Sequence, residues 1–119
     1  MNDQDFMSIA FSESANSFAE KAGAVLVIDD QIIAKSYDRT QELNDPTAIA
    51  EIDCIRKAGR RNDQSSMCLY TTKIPDMLGA GTVVQFGISS LVISGTPRDS
   101  ATLDFLQQHG VLIRFLDTN

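Results

Sequence analysis

The chain has 119 residues, 43% hydrophobic and 22% charged, which is an ordinary globular composition with room for one domain, residues 1–119, and little more. A formal net charge of −6 excludes the strong basic field that draws nucleic acid, so a nucleic-acid partner is not expected. No apolar run reaches the length of a membrane span, and the opening Met1-Asn2-Asp3-Gln4-Asp5 is acidic where a secretory signal is basic, so a cytoplasmic protein without a membrane partner is expected.

Phe11, Ala15, Phe18 and Ala22 recur at helical spacing and predict a helix from about Asp5 to Ala22, stopped by Gly23. Ala24-Val25-Leu26-Val27-Ile28 is the continuous apolar run of a strand covered on both faces. Asp29-Asp30 is a turn signal, and the strand Gln31–Tyr37 follows so closely that the pair must be an antiparallel hairpin. Asp38 to Asn44 reads as loop. Asp45 is a good N-cap and Pro46 suits the first helical position, so the next helix is predicted from there to Ala58, with Gly59 as its stop. Arg56, Lys57, Arg60 and Arg61 form the one basic cluster and complement the negative end of that helix.

Arg60 to Ser66 reads as a polar loop and Met67–Thr72 as a third strand. Pro75 opens a helix to about Phe86, weakened by Gly79 and Gly81. Ser90–Ser94 is a fourth strand, ended by Gly95-Thr96-Pro97. A helix over Ala101–His109 stops at Gly110, and Val111–Phe115 is the last strand. The order α-β-β-α-β-α-β-α-β predicts an α/β fold in three layers, α/β/α, around a mixed five-stranded sheet.

Three segments carry a resemblance. Asp45-Pro46-Thr47-Ala48-Ile49-Ala50-Glu51-Ile52 is similar to a segment Asp-Pro-Thr-Ala-His-Ala-Glu-Ile, Leu69-Tyr70-Thr71-Thr72 matches a Leu-Tyr-Thr-Thr, and Ile74 to Thr82 aligns with Glu-Pro-Cys-Pro-Met-Cys-Ala-Gly-Ala. In this order they resemble the cytidine deaminase-like superfamily, in its guanine, cytosine and tRNA-adenosine deaminase branch, and the resemblance covers nearly the whole chain. In that family three ligands hold a zinc ion that activates water, and the Glu of the first motif moves protons.

The resemblance places the ligands at Ile49, Asp76 and Gly79, of which only Asp76 has a donor atom. One carboxylate is short of the three protein ligands of catalytic zinc, so no metal and no cofactor is expected, and the chain reads as a degenerate member. Asp38, in Tyr37-Asp38-Arg39, stands where the family has a substrate-binding Asn, and Ile74 where it has Glu. The candidate substrate-binding residues are therefore Asp38, Arg39, Ile49, Ala50, Ile74 and Pro75.

Glu51 and Asp76 sit at two helix starts that the fold implied by the resemblance brings together. They read either as a carboxylate pair for acid and base catalysis or as residues that complement helix N-termini. Cys54 lies on the face of Glu51 and reads as core, because no His is placed to activate it. Cys54 and Cys68 are expected as reduced thiols, and His109 as a helix-end residue rather than a ligand.

Two functions follow. One is a deaminase-fold protein that binds a small nucleobase-like heterocycle or a protein partner without zinc-dependent deamination. The other is a metal-independent hydrolase or deaminase-like enzyme using Glu51 with Asp76 on a small amide, imine or nucleobase-like substrate. Family resemblance and small size also predict a homo-oligomer, a dimer.

Overall fold

The computed structural model describes residues 1–61 and 66–117. Its elements are α1 (Asp3–Ser14), β1 (Gly23–Ile28), β2 (Gln31–Tyr37), α2 (Ala50–Ala58), β3 (Met67–Thr71), α3 (Met77–Phe86), β4 (Ser90–Ser94), α4 (Ala101–Gln108) and β5 (Leu112–Leu116). The predicted order is observed. The polar loop read over Arg60 to Ser66 lies mostly outside the described residues.

The sheet runs β2-β1-β3-β4-β5. The β1–β2 hairpin and the β1–β3 pair are antiparallel, while β3, β4 and β5 are parallel, so the sheet is mixed as expected. Asp29 and Asp30 both take positive φ, 50° and 64°, the conformation that a two-residue hairpin turn requires. Alternation along the strands sends side chains to two cores. Val25, Val27, Tyr70 and Val92 meet Phe6, Met7 and Ala10 of α1. Ala24, Leu26, Leu69, Leu91 and Ile93 face the other way, onto α2, α3 and α4. No helix among the described residues is long and apolar enough to cross a membrane.

Three helix boundaries differ from the sequence reading. The first helix does not run from Asp5 to Ala22. It starts at Asp3 because Asn2 accepts from the Asp5 backbone N–H while the Asp5 carboxylate accepts from the Asn2 N–H, a reciprocal cap, and it ends at Ser14. Its buried face is Phe6, Met7, Ala10 and Ser14, whereas Phe11 and Phe18 of the predicted face are 42% and 70% exposed. Gly23 is not the stop of that helix but the first residue of β1. A Cβ there would lie 2.0 Å from the Ala10 carbonyl oxygen, so the glycine lets α1 rest directly on the sheet.

Asp45 and Pro46 do not open α2. The Asp45 carboxylate accepts from the Thr47 N–H and hydroxyl at 2.9 and 2.7 Å, a local turn that competes with helix. The helix starts at Ala50, and its N-cap, Ile49, offers no side-chain acceptor. Pro75 likewise precedes α3 rather than opening it. Asp76 is the cap, accepting from the Gly79 N–H at 2.9 Å. Smaller shifts of one residue affect the ends of β3, α4 and β5.

Candidate functional site

A pocket of about 200 Å³ opens where the chain leaves β2 and β3 and enters α2 and α3. Asp38, Ile49, Ala50, Glu51, Ile74, Pro75 and Asp76 line it, so seven of the eight residues singled out in the sequence come together. Arg39 does not line it. Its guanidinium turns away to Glu42 at 2.9 Å and Asp53 at 3.5 Å. Asp38 is fixed by the Ala22 carbonyl, which accepts its N–H at 2.9 Å, and one carboxylate oxygen accepts from the Thr40 N–H and hydroxyl.

Glu51 is 6% exposed. Burial pushes its carboxyl up to about 7, with the charges of Asp76 and Asp38 adding to the rise and its own backbone N–H and Lys73 opposing it. It therefore changes charge near neutrality, and the helix start alone does not hold it ionised. The Cys54 thiol, on the next turn of α2, is pushed up to about 12, mainly by burial. It donates to the Ala34 carbonyl at 3.5 Å. A neutral, buried thiol is core packing, as the sequence indicated.

The pocket also collects residues that the sequence reading missed. Lys73 immediately precedes the Ile74 to Thr82 segment, and its ammonium donates to Glu20 at 2.7 Å. Glu20 and Ala22 fall within the first helix as the sequence predicts it. They reach the pocket because that helix ends early and the chain turns back before β1.

The three positions where the resemblance expects metal ligands are neighbours in space. A Cβ built at Gly79 would lie 3.2 Å from Cδ1 of Ile49, 3.3 Å from Cβ of Pro75 and 3.6 Å from Oδ1 of Asp76. Hydrocarbon from Ile49 thus fills the space beside Gly79, and the nearby Asp76 oxygen is the one that caps α3. Among the described residues, no three His, Cys, Asp or Glu side chains group in a way that could hold a metal ion. This donor set does not fit zinc, which takes three protein ligands at catalytic sites.

A second, wider groove of about 530 Å³ lies between α2 and α3, lined by Ile55, Met77, Leu78, Phe86, Arg60 and Arg61 among others. Among the described residues it is lined by no carboxylate, whereas Asp38, Glu51 and Asp76 line the smaller pocket.

Two helix starts meeting over a buried carboxylate, beside a sheet of order β2-β1-β3-β4-β5, define a deaminase-type α/β domain. The chain belongs to the cytidine and deoxycytidylate deaminase family, whose zinc-binding region matches residues 1–95. It is similar to the chloroplastic tRNA(adenine(34)) deaminase of Arabidopsis thaliana, 40% identical over 96 residues, which are 76% of this chain and 7% of that protein. It is similar also to the tRNA-specific adenosine deaminase of Agrobacterium fabrum, 42% identical over 85 residues, 66% of this chain and 55% of that protein. The chain therefore spans about half the length of that bacterial relative. A solved structure from work on A-to-I editing by tRNA deaminases at the wobble position superposes with a TM-score of 0.78 and 31% identity, covering 93% of this chain and 96% of that one. Guanine deaminase from Bacillus subtilis superposes with a TM-score of 0.71 and 28% identity over 78% of this chain and 64% of that one.

Proposed function

We propose that this chain is a deaminase-fold binding protein, a pseudoenzyme with respect to zinc-dependent deamination, that takes a small nucleobase-like heterocycle in the pocket at the starts of α2 and α3. The observation that carries this reading is the contact of Ile49 with the space beside Gly79, which puts hydrocarbon where the family places metal ligands. The pocket's 200 Å³ is below the roughly 300–1,000 Å³ of ordinary small-molecule sites and suits a single ring system. Elemental analysis after dialysis tests it. The expected result is no stoichiometric zinc, and about one zinc per chain, in line with a structural or catalytic site, would sink the reading.

Related proteins carry names that include tRNA. A net charge of −6 argues against tRNA as the ligand of this chain alone, because phosphate contacts supply most of such affinity. Exposed Met77 and Leu78, at 54% and 49%, support self-association through the α2–α3 groove.

A second reading is favoured by one observation. A carboxyl held near 7 by burial is suited to general acid–base work at neutral pH, so a metal-independent hydrolase or deaminase-like enzyme using Glu51 with Asp76 is the alternative. A screen of nucleobases, nucleosides and small cyclic amides for turnover separates the two. Under this alternative Glu51→Gln costs at least about a hundredfold in turnover. Under the binding reading wild type turns over none of them.

A further inference from the structure

We propose that the free edge of β5, with the groove between it and α4, takes an extended segment of a partner protein as a sixth, antiparallel strand, and that basic side chains of that segment lie in the groove. This surface is separate from the pocket at the starts of α2 and α3 and shares no residue with it.

β5 closes one end of the sheet order, so one of its sides has no neighbouring strand. The Leu112 N–H donates to the Ser89 carbonyl at 3.0 Å, and the Leu116 carbonyl accepts from the Gly95 N–H at 2.8 Å. In a parallel ladder alternate residues bond the neighbour. Leu112, Arg114 and Leu116 therefore turn their backbone to β4, and Ile113 and Phe115 turn theirs outward. Among the described residues nothing bonds those outward groups. The other edge strand, β2, is blunted: its register with β1 slips between Leu26 and Val27, and Lys35 is exposed on it. β5 has an even register, no proline and one cation, Arg114, which is tied to Asp3 of α1.

Ile113 and Phe115 point to the α4 face, where with Leu103 they floor a groove of about 540 Å³. Asp99 and Asp104 line the same groove against one cation, Arg98, whose guanidinium donates to the Thr96 carbonyl at 3.4 Å. Among the described residues neither carboxylate forms an ion pair. An antiparallel strand sets its bonded residues opposite Ile113 and Phe115, with their side chains on the same face. Lysine or arginine there lays its hydrocarbon stem on the apolar floor and brings its charge to the carboxylates. On the other face the alternate residues meet Leu112, which is 71% exposed, so they are apolar. A second copy's β5 brings only isoleucine and phenylalanine to the groove and leaves both carboxylates without a counter-charge. The partner is thus an extended stretch alternating basic and β-branched residues, held by main-chain pairing and selected by its side chains.

The probe is an acetylated and amidated Thr-Val-Arg-Val-Arg-Val-Thr peptide, titrated to millimolar concentration into the isotope-labelled chain and followed at the Ile113 and Phe115 amides. Both amides are expected to shift, and their hydrogen exchange to slow as the site fills. The same peptide with Glu in place of both Arg should bind at least about tenfold more weakly. N-methylation of the two Arg nitrogens, which face β5 in the antiparallel arrangement, should weaken binding by at least about tenfold. N-methylation of the Val nitrogens, which face away, should leave Kd within about twofold. Asp99→Asn together with Asp104→Asn should bring the preference for Arg over Glu close to unity. No change at either amide overturns the site, and equal binding of the Arg and Glu peptides overturns the basic partner. Sensitivity at the Val nitrogens instead of the Arg nitrogens makes the added strand parallel and overturns the arrangement. Slow exchange at both amides of the free chain that quickens on dilution gives the edge to a second copy and overturns the proposal.

Discussion

Glu51 and Asp53 lie two residues apart on α2, and both are buried, at 6% and 4% exposure. Their surroundings are opposite. Asp53 accepts a hydrogen bond from the Ser36 hydroxyl and faces Arg39 at 3.5 Å and Lys57 at 3.7 Å. Among the described residues no cation is in bonding contact with Glu51, which faces two further carboxylates. Asp53 joins α2 to β2 and to the residue after Asp38, so it is part of what holds the pocket in place. Glu51 is held by its own backbone N–H with neighbouring charges of its own sign. Burial alone does not separate a structural carboxylate from a functional one; the partners do.

The largest expected effect concerns Glu51. Glu51 binds its proton more tightly folded, at about 7, than unfolded, near 4.5. Between those values the native state holds more protons than the unfolded state, so stability falls as pH rises through the window. Below the unfolded value nothing is lost, and above about 7 the loss is complete, about 3 kcal/mol. Glu51→Gln should abolish this slope and be the more stable protein above neutrality by a figure of that order. Urea melts of both proteins across the window check it, and parallel pH profiles would show that Glu51 is ionised and content.

Asp53→Ala should act in the other direction. It removes the acceptor of Ser36 and the counter-charge of two cations that can turn partly to solvent, so a loss of about 2 kcal/mol is expected, below the figure for a fully buried pair. The loss should be the same in the Glu51→Gln background as in wild type. A loss that tracks the Glu51 titration would show the two carboxylates to be one network and erase the contrast drawn here.

The smallest effect concerns the hydrocarbon plug. Ile49 is half-buried, and Ile49→Ala should cost about 1 kcal/mol, less than for a sealed core site. Gly79→Ala gains helix propensity of about 1 kcal/mol but meets Ile49 Cδ1 at 3.2 Å, so alone it should be near neutral. In the Ile49→Ala background the obstruction is gone and Gly79→Ala should stabilise by about 1 kcal/mol, a coupling that a double-mutant cycle reads directly. Strict additivity would mean that the two positions do not share the space assigned to them.

Much of this was legible in the residues. The hairpin followed from Asp29-Asp30 between two β-rich runs, and the mixed sheet followed from helices placed between the later strands. The motif around Glu51 and the segment from Ile74 are the two stretches that line most of the pocket. In the first helix, Phe11 and Phe18 form an apolar stripe at helical spacing that does not face the core. Asn2 and Asp5 instead set the helix start, and the backbone approach at Gly23 set which face lies on the sheet. Asp45-Pro46 has the form of a helix start, but its carboxylate was taken by Thr47 in a turn.

Local chemistry and periodicity thus sufficed for the order of elements, which depends on neighbours in the chain, while the likeness of three segments to a known family marked most of the pocket residues. The fate of each charge did not. Arg39 lies beside Asp38 in sequence, yet it pairs with Asp53 on the next helix, and Glu20 meets Lys73 across 53 positions. Asp53 meets two cations and Glu51 meets carboxylates through the packing of α2 against β2 on one side and against the start of α3 on the other. Electrostatic environment is a property of what the fold brings within a few ångströms, and a linear sequence carries that information only through the tertiary structure it builds.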